Sequence, residues 1–171
     1  MAEHRDAFDY QLEMLKAEVE VLNATIRQFD EISKNLKEWA ITIWAASVGG
    51  ALATPMLTKY VWATAFIPIL FWMVDTYQHV GQRRFIWRSL LIMDFLNDDR
   101  LIKSFERRRL VEFSVMDTGA RRERGKAMQD FVSWPRVFLF RTQSILYIGL
   151  AMASLIVTIA TRSSAWIPGS S

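Results

Sequence analysis

From Phe8 to Leu36 apolar residues recur at heptad spacing. Phe8, Leu15, Leu22, Phe29 and Leu36 hold one seam position, Leu12, Val19 and Ile26 hold the other, and Ser33 is the polar exception. Charged residues fill most outer positions, and residues 1–48 contain neither glycine nor proline. The pattern predicts an amphipathic helix over 1–38 that runs unbroken into the apolar residues after it. Its seam suits either of two partners. One is a second copy, in an intersubunit coiled coil held through Leu15, Leu22 and Phe29; the other is the chain's own central segment.

Beyond residue 38 the period is lost in continuous apolarity. Residues 39–57 and 60–77 are two apolar runs separated by Thr58 and Lys59, and their only formal charges are Lys59 and Asp75. A third run, 142–161, carries no charge and is bounded by Arg141 and Arg162. About 20 apolar residues at 1.5 Å rise match a bilayer core of about 30 Å. The fold class expected is therefore an all-α membrane protein with three transmembrane helices. Its parts are a heptad helix (1–38), a transmembrane hairpin (39–77), a basic helical segment (78–140), a third span (141–162) and a short tail (163–171). Within 78–140, Asn97, Asp98 and Asp99 mark a break between helices, and 116–126 reads as a loop. Pro55 closes the first span, and Pro68 is expected to kink the second.

Two rows of small residues run along the first span: Ala45, Gly49 and Ala53, and Thr42, Ala46, Gly50 and Thr54. Such rows let helices approach closely in lipid, either within the hairpin or between subunits around a pore. Asp75 is the ionisable residue inside an apolar span, which makes it a functional candidate. It either anchors the interface by pairing with Arg83 or Arg84, or it lines or couples a pore. Thr42, Gly49, Gly50 and Asp75 are thus the candidates for transmembrane assembly.

Charge fixes the expected orientation. Residues 1–38 hold five Lys/Arg against nine Asp/Glu, whereas 78–141 hold fourteen against eight. Lys34 and Lys37 precede the first span, Arg83, Arg84 and Arg88 follow the second, and Arg136 and Arg141 precede the third, while the opposite side has Lys59 and Arg162. The positive-inside tendency puts the N-terminus and 78–140 in the cytoplasm and the C-terminus outside. Arg83, Arg84, Arg107, Arg108, Arg109, Arg121 and Arg122 form a basic set suited to anionic lipid headgroups or a cytoplasmic protein partner. Nucleic acid is not an expected partner.

Catalytic chemistry finds little support. There is no cysteine, and His4 and His79 are the only histidines, so disulfides, thiolate catalysis and a conventional zinc site are excluded. Residues 119–127 superficially resemble a phosphate loop, but the glycine spacing is one residue too long and Ala127 stands where Ser or Thr is required. A ribonuclease motif of the Arg-x4–6-His type fails because Trp72, Met73 and Val74 occupy the required positions before His79. No cofactor and no enzymatic activity are expected.

The string Lys37-Glu-Trp39-Ala-Ile-Thr42, the exit Phe71-Trp72-Met-Val-Asp75-Thr-Tyr77 running into Arg83 and Arg84, and Ser133-Trp134 before the last span resemble a family of small bacterial membrane proteins. The likeness covers about residues 34–160. In plan the chain is similar to the SLATT-like and other few-span effectors of bacterial anti-phage systems. That resemblance implies a homo-oligomer in the inner membrane that forms a pore or disrupts the bilayer when a partner senses infection. The alternative is a non-conducting membrane anchor or sensor subunit that recruits a cytoplasmic partner.

Overall fold

The computed structural model describes residues 6–117, 125–138 and 141–164, with the side chains of all but 141–143 and 164. The described residues form helices and connecting loops, with no strand among them. In order these are α1 (Ala7–Ala53), a 3-10 helix (Thr58–Ala65), α2 (Phe66–Leu96), α3 (Asp99–Arg107), α4 (Lys126–Phe131), α5 (Trp134–Phe138) and α6 (Arg141–Ser164).

The heptad helix does continue unbroken into the apolar region, since nothing before Thr54 and Pro55 interrupts it. Pro55 disfavours helical geometry at the residue before it, which stops α1 at Ala53. Pro68 acts differently from the expected kink. It has no N–H to give the Thr64 carbonyl and its ring crowds that carbonyl, so the regular α-ladder begins around it and the chain upstream is wound as a 3-10 helix. Among the described residues one helix, over Ser144–Ser163, is long and apolar enough to cross a membrane. The hairpin limbs fall short of that as single helices because α1 is apolar only from Trp39 to Ala53, and α2 reaches Asp75 soon after it starts at Phe66.

The break expected at 97–99 is present. Asp98 is extended (φ −103°, ψ 155°) and its side chain accepts the Arg100 N–H at 3.2 Å, capping α3. That N–H first, and the Arg100 guanidinium second, hold the Asp98 carboxyl below the usual carboxylate range. α3 ends where Arg108 turns left-handed (φ 48°).

The chain divides into two compact units: Met1–Asp30 with Val80–Ser133, and Glu31–His79 with Trp134–Ser171. The first has a conventional apolar core. Leu15, Leu22, Ile92 and Phe95 are buried together, with Val19, Phe85, Leu101, Leu110, Phe113 and Val115 packed on them. The expected intersubunit role of Leu15 and Leu22 is thereby corrected: this part of the heptad seam is covered by the chain's own central segment. Phe29 is half-buried against Phe85, 5.7 Å between ring centroids, and its ring edge lies 3.3 Å from where a Cβ on Gly81 would sit. The physical reason is that 85–115 supplies enough apolar surface to satisfy the stripe without a second copy.

The first unit also buries an ion pair. Arg88, 1% exposed, meets Glu18 through two bonds of 2.9 and 3.2 Å and donates to the Ser114 carbonyl, with its guanidinium 4.7 Å from the centre of the Phe113 ring. Glu18 in turn accepts the Met116 N–H at 2.7 Å. These bonds pin an irregular stretch in which Glu112 and Met116 hold left-handed backbone angles.

Candidate functional site: a buried carboxylate in a polar-lined helical unit

The second unit exposes much apolar surface and buries many polar side chains beside Ala40, Val48, Val61, Val137 and Tyr147. Most of the large apolar side chains left exposed by the fold belong to it, among them Trp39, Leu52, Phe66, Leu70, Met73, Ile148, Met152, Leu155 and Ile159. Its buried set includes Ser33, Thr64, Asp75, Thr76, Ser144, Ser154 and Thr158. α6 shows how the sequence writes this. Ser144, Tyr147, Ala151, Ser154, Thr158 and Thr161 recur at heptad spacing, and each is buried or half-buried while Ile145, Ile148, Met152, Ile156 and Ile159 face out. The seam is polar or small and the outside is apolar. Small residues and interhelical hydrogen bonds are what hold helices together in lipid.

At the centre of this unit lies Asp75 on α2, fully buried and reached from two sides by α1 and α6. Ser33 of α1 donates to Asp75 Oδ1 at 2.7 Å, and Tyr147 of α6 donates to Oδ2 at 3.1 Å. Lys37 Nζ stands 4.0 Å from Oδ2, and His79 Nε2 stands 3.6 Å from Oδ1. Helical spacing produces the cluster: Ser33 and Lys37 are one turn apart on α1, and Asp75 and His79 one turn apart on α2. Lys37 also donates to Ser33 Oγ at 2.9 Å, and His79 Nε2 lies 3.1 Å from the same oxygen. A hydroxyl has a single proton. With that proton committed to Asp75, His79 Nε2 carries one of its own and donates it to Ser33. Two hydroxyls thus donate directly to the carboxylate, while Lys37 and His79 stand beside it and bond to Ser33 Oγ.

A second polar contact sits further along α6. Trp44 Nε1 donates to Ser154 Oγ at 2.7 Å, and Thr64 Oγ1 lies 3.2 Å from that oxygen. Ser154 itself is within 3.2 Å of its own helix's Leu150 carbonyl.

Of the residues selected from sequence, Asp75 is the one that organises a cluster. Its partners are Ser33, Lys37, His79 and Tyr147, so the pairing with Arg83 or Arg84 is replaced by these. Arg83 instead donates to the Phe131 carbonyl at 2.8 Å, and its guanidinium lies 5.3 Å from the centre of that residue's ring. Arg84, Arg107 and Arg109 are exposed, Arg108 pairs with Asp6, and Arg121 and Arg122 lie outside the described residues. Thr42, Gly49 and Gly50 face outward, with Thr42 Oγ1 bonded to the Glu38 carbonyl at 2.9 Å and open space within 4 Å of a Cβ built on either glycine. Among the described residues these rows are therefore not packed inside the hairpin. Two signals in the sequence point to the partners of Asp75 that its neighbours in the chain do not reveal: Ser33 as the one break in an apolar seam, and the polar heptad of α6. Comparisons with family models, curated proteins and solved structures find no match.

Proposed function

We propose that this chain is a multi-pass protein of the bacterial inner membrane which assembles with copies of itself and opens or disrupts the bilayer, without chemistry of its own. The exposed apolar surface and polar-rich interior of the second unit are the observation that carries this reading. A unit with serine, threonine and a hydrogen-bonded carboxylate inside and leucine, isoleucine, phenylalanine and tryptophan outside is matched to hydrocarbon rather than to water.

Length agrees for two of the three limbs, whereas the apolar end of α1, residues 39–53, at about 1.5 Å per residue reaches about 22 Å. α6 offers its 20 residues from Ser144 to Ser163. The 3-10 helix at about 2.0 Å per residue plus residues 66–77 at about 1.5 Å reach about 34 Å. Trp39, Trp62, Trp72 and Trp134 suit interfacial positions, and Lys34, Lys37, Arg84 and Arg136 favour a cytoplasmic N-terminus and 78–140 segment. Self-assembly is supported by the outward rows of Thr42, Ala45, Ala46, Gly49, Gly50 and Ala53 on α1. The plan resembles SLATT-like effectors, so anti-phage defence is the biological setting proposed.

Expression in a bacterial host with a potential-sensitive dye tests it. Growth arrest should coincide with collapse of the membrane potential. Arrest with the potential intact would reject conduction. The exposed Arg84, Arg107 and Arg109 favour a second reading, an anchor that recruits a soluble partner, and co-purification of one stoichiometric partner from cells with a sealed membrane would select it.

A further inference from the structure

We propose that α6 is a releasable helix, and that its polar seam becomes the wetted wall of the conducting path when it leaves α1 and the hairpin. The inference rests on reading the second unit as membrane-embedded.

Within hydrocarbon no hydrophobic force presses α6 onto its neighbours, because lipid covers apolar side chains equally well. Besides packing, the described polar contacts that hold it to α1, the 3-10 helix and α2 are Tyr147 on Asp75, and Ser154 with Trp44 and Thr64. The first contact is built to part cheaply. Two hydroxyls donate to Asp75, of which only Tyr147 comes from α6, and at 3.1 Å its bond is longer than the 2.7 Å bond from Ser33. When Tyr147 departs, Asp75 keeps the Ser33 bond and the Lys37 ammonium 4.0 Å away, both from α1. Detaching the helix there costs one hydrogen bond rather than an uncompensated buried charge.

The released seam is the more polar of the two faces. Tyr147 loses its acceptor and Ser154 the Trp44 donor, while the Ser154, Thr158 and Thr161 hydroxyls keep carbonyl partners within α6, and the opposite face of Ile145, Ile148, Met152, Ile156 and Ile159 is already suited to hydrocarbon. Water satisfies the Tyr147 hydroxyl and the spare lone pairs of the seam, and seams gathered from several copies enclose it. Resting and open states thus use the same two faces of one helix, the apolar face toward lipid in both.

The chain has no cysteine, so a single introduced thiol reports its own surroundings. Thr158→Cys places it on the seam, where Thr158 is 9% exposed and its hydroxyl donates to its own helix's Ser154 carbonyl. Ile159→Cys places it on the outer face, at a residue 68% exposed. The full chain is reconstituted in vesicles and treated with a membrane-impermeant thiol reagent, with and without Tyr147→Phe or Trp44→Phe. Removing the Tyr147 hydroxyl should speed modification of T158C by about tenfold, the equivalent of about 1.4 kcal/mol for one bond to a charged group. Trp44→Phe should act in the same direction, and I159C should stay unmodified throughout. T158C rates unchanged in both backgrounds would overturn the proposal, as would an equal rise at I159C, which signals loss of insertion instead. Dye leak from the same vesicles separates the two readings. Leak without T158C modification overturns the releasable seam and leaves conduction standing; modification without leak does the reverse.

Discussion

A guanidinium that is 1% exposed is stable only while its donors are used. Arg88 meets this condition by gripping Glu18 with two bonds and giving a third to the Ser114 carbonyl. Arg88→Met would leave Glu18 buried with only the Met116 N–H to offset its charge, and breaking a buried pair on one side costs about 3–5 kcal/mol. Lysine is no substitute, since an ammonium cannot make the paired bonds or reach the carbonyl at the same time. Hydrogen exchange on the full chain in detergent should show 7–29 and 85–117 losing protection together in R88M. Replacing both residues by apolar ones of similar volume should restore much of it, because no lone charge is left behind. Protection unchanged in R88M would mean that the pair is not what pins the 108–117 stretch.

At the scale of elements, the same heptad rule is written in two chemistries. α1 buries Phe8, Leu15 and Leu22 along its first half, and then, still in register, buries Ser33. Read as periodicity alone, Ser33 is a flaw that leucine would repair. Its contacts imply the opposite: Ser33→Leu removes the 2.7 Å donor to Asp75 and the acceptor for Lys37. The loss of a hydrogen bond to a buried charged group costs about 1.5–3 kcal/mol. Thermal unfolding in detergent should therefore show S33L below the parent, and a rise in stability would sink the account of the cluster. The same contrast separates what is legible in the sequence from what is not. Helix existence, the unbroken run of α1 and the stop at Asp98 follow from local signals, and Asp75 stands out because charge is costly in an apolar run. Its partners do not, because Tyr147 lies 72 positions away and Arg88, which buries itself on Glu18, resembles any other membrane-flanking arginine until 85–115 is seen packed on α1. The 3-10 winding before Pro68 is hidden for a related reason. A proline inside an apolar run reads as a kink in a continuous helix, whereas Thr64 and Pro68 together set where the regular ladder begins.

For the whole molecule, the second unit carries most of the large exposed apolar side chains, which bears on where the copies proposed to assemble would meet. The apolar seam of the first unit is spent on its own core, so Leu15 and Leu22 have nothing left to offer a neighbour. In the second unit the polar seam of α6 is likewise engaged, through Tyr147 and Ser154. Among the faces left open, the one lined by small residues is the outward face of α1, where Thr42, Ala45, Ala46, Gly49, Gly50 and Ala53 lie along one side of the helix. A larger side chain there should separate assembly from folding. A Cβ built on Gly49 meets nothing within 4 Å, and exchanging a mid-helix glycine for a good helix former stabilises a helix by about 0.5–1 kcal/mol. Gly49→Leu should thus preserve or raise the exchange protection of α1 while preventing the close backbone approach that small rows permit in lipid. Native mass measurement in nanodiscs should find the parent as an oligomer and G49L shifted to smaller species. If G49L keeps the parent's mass, the copies meet elsewhere; if it unfolds, this face is occupied within the subunit after all.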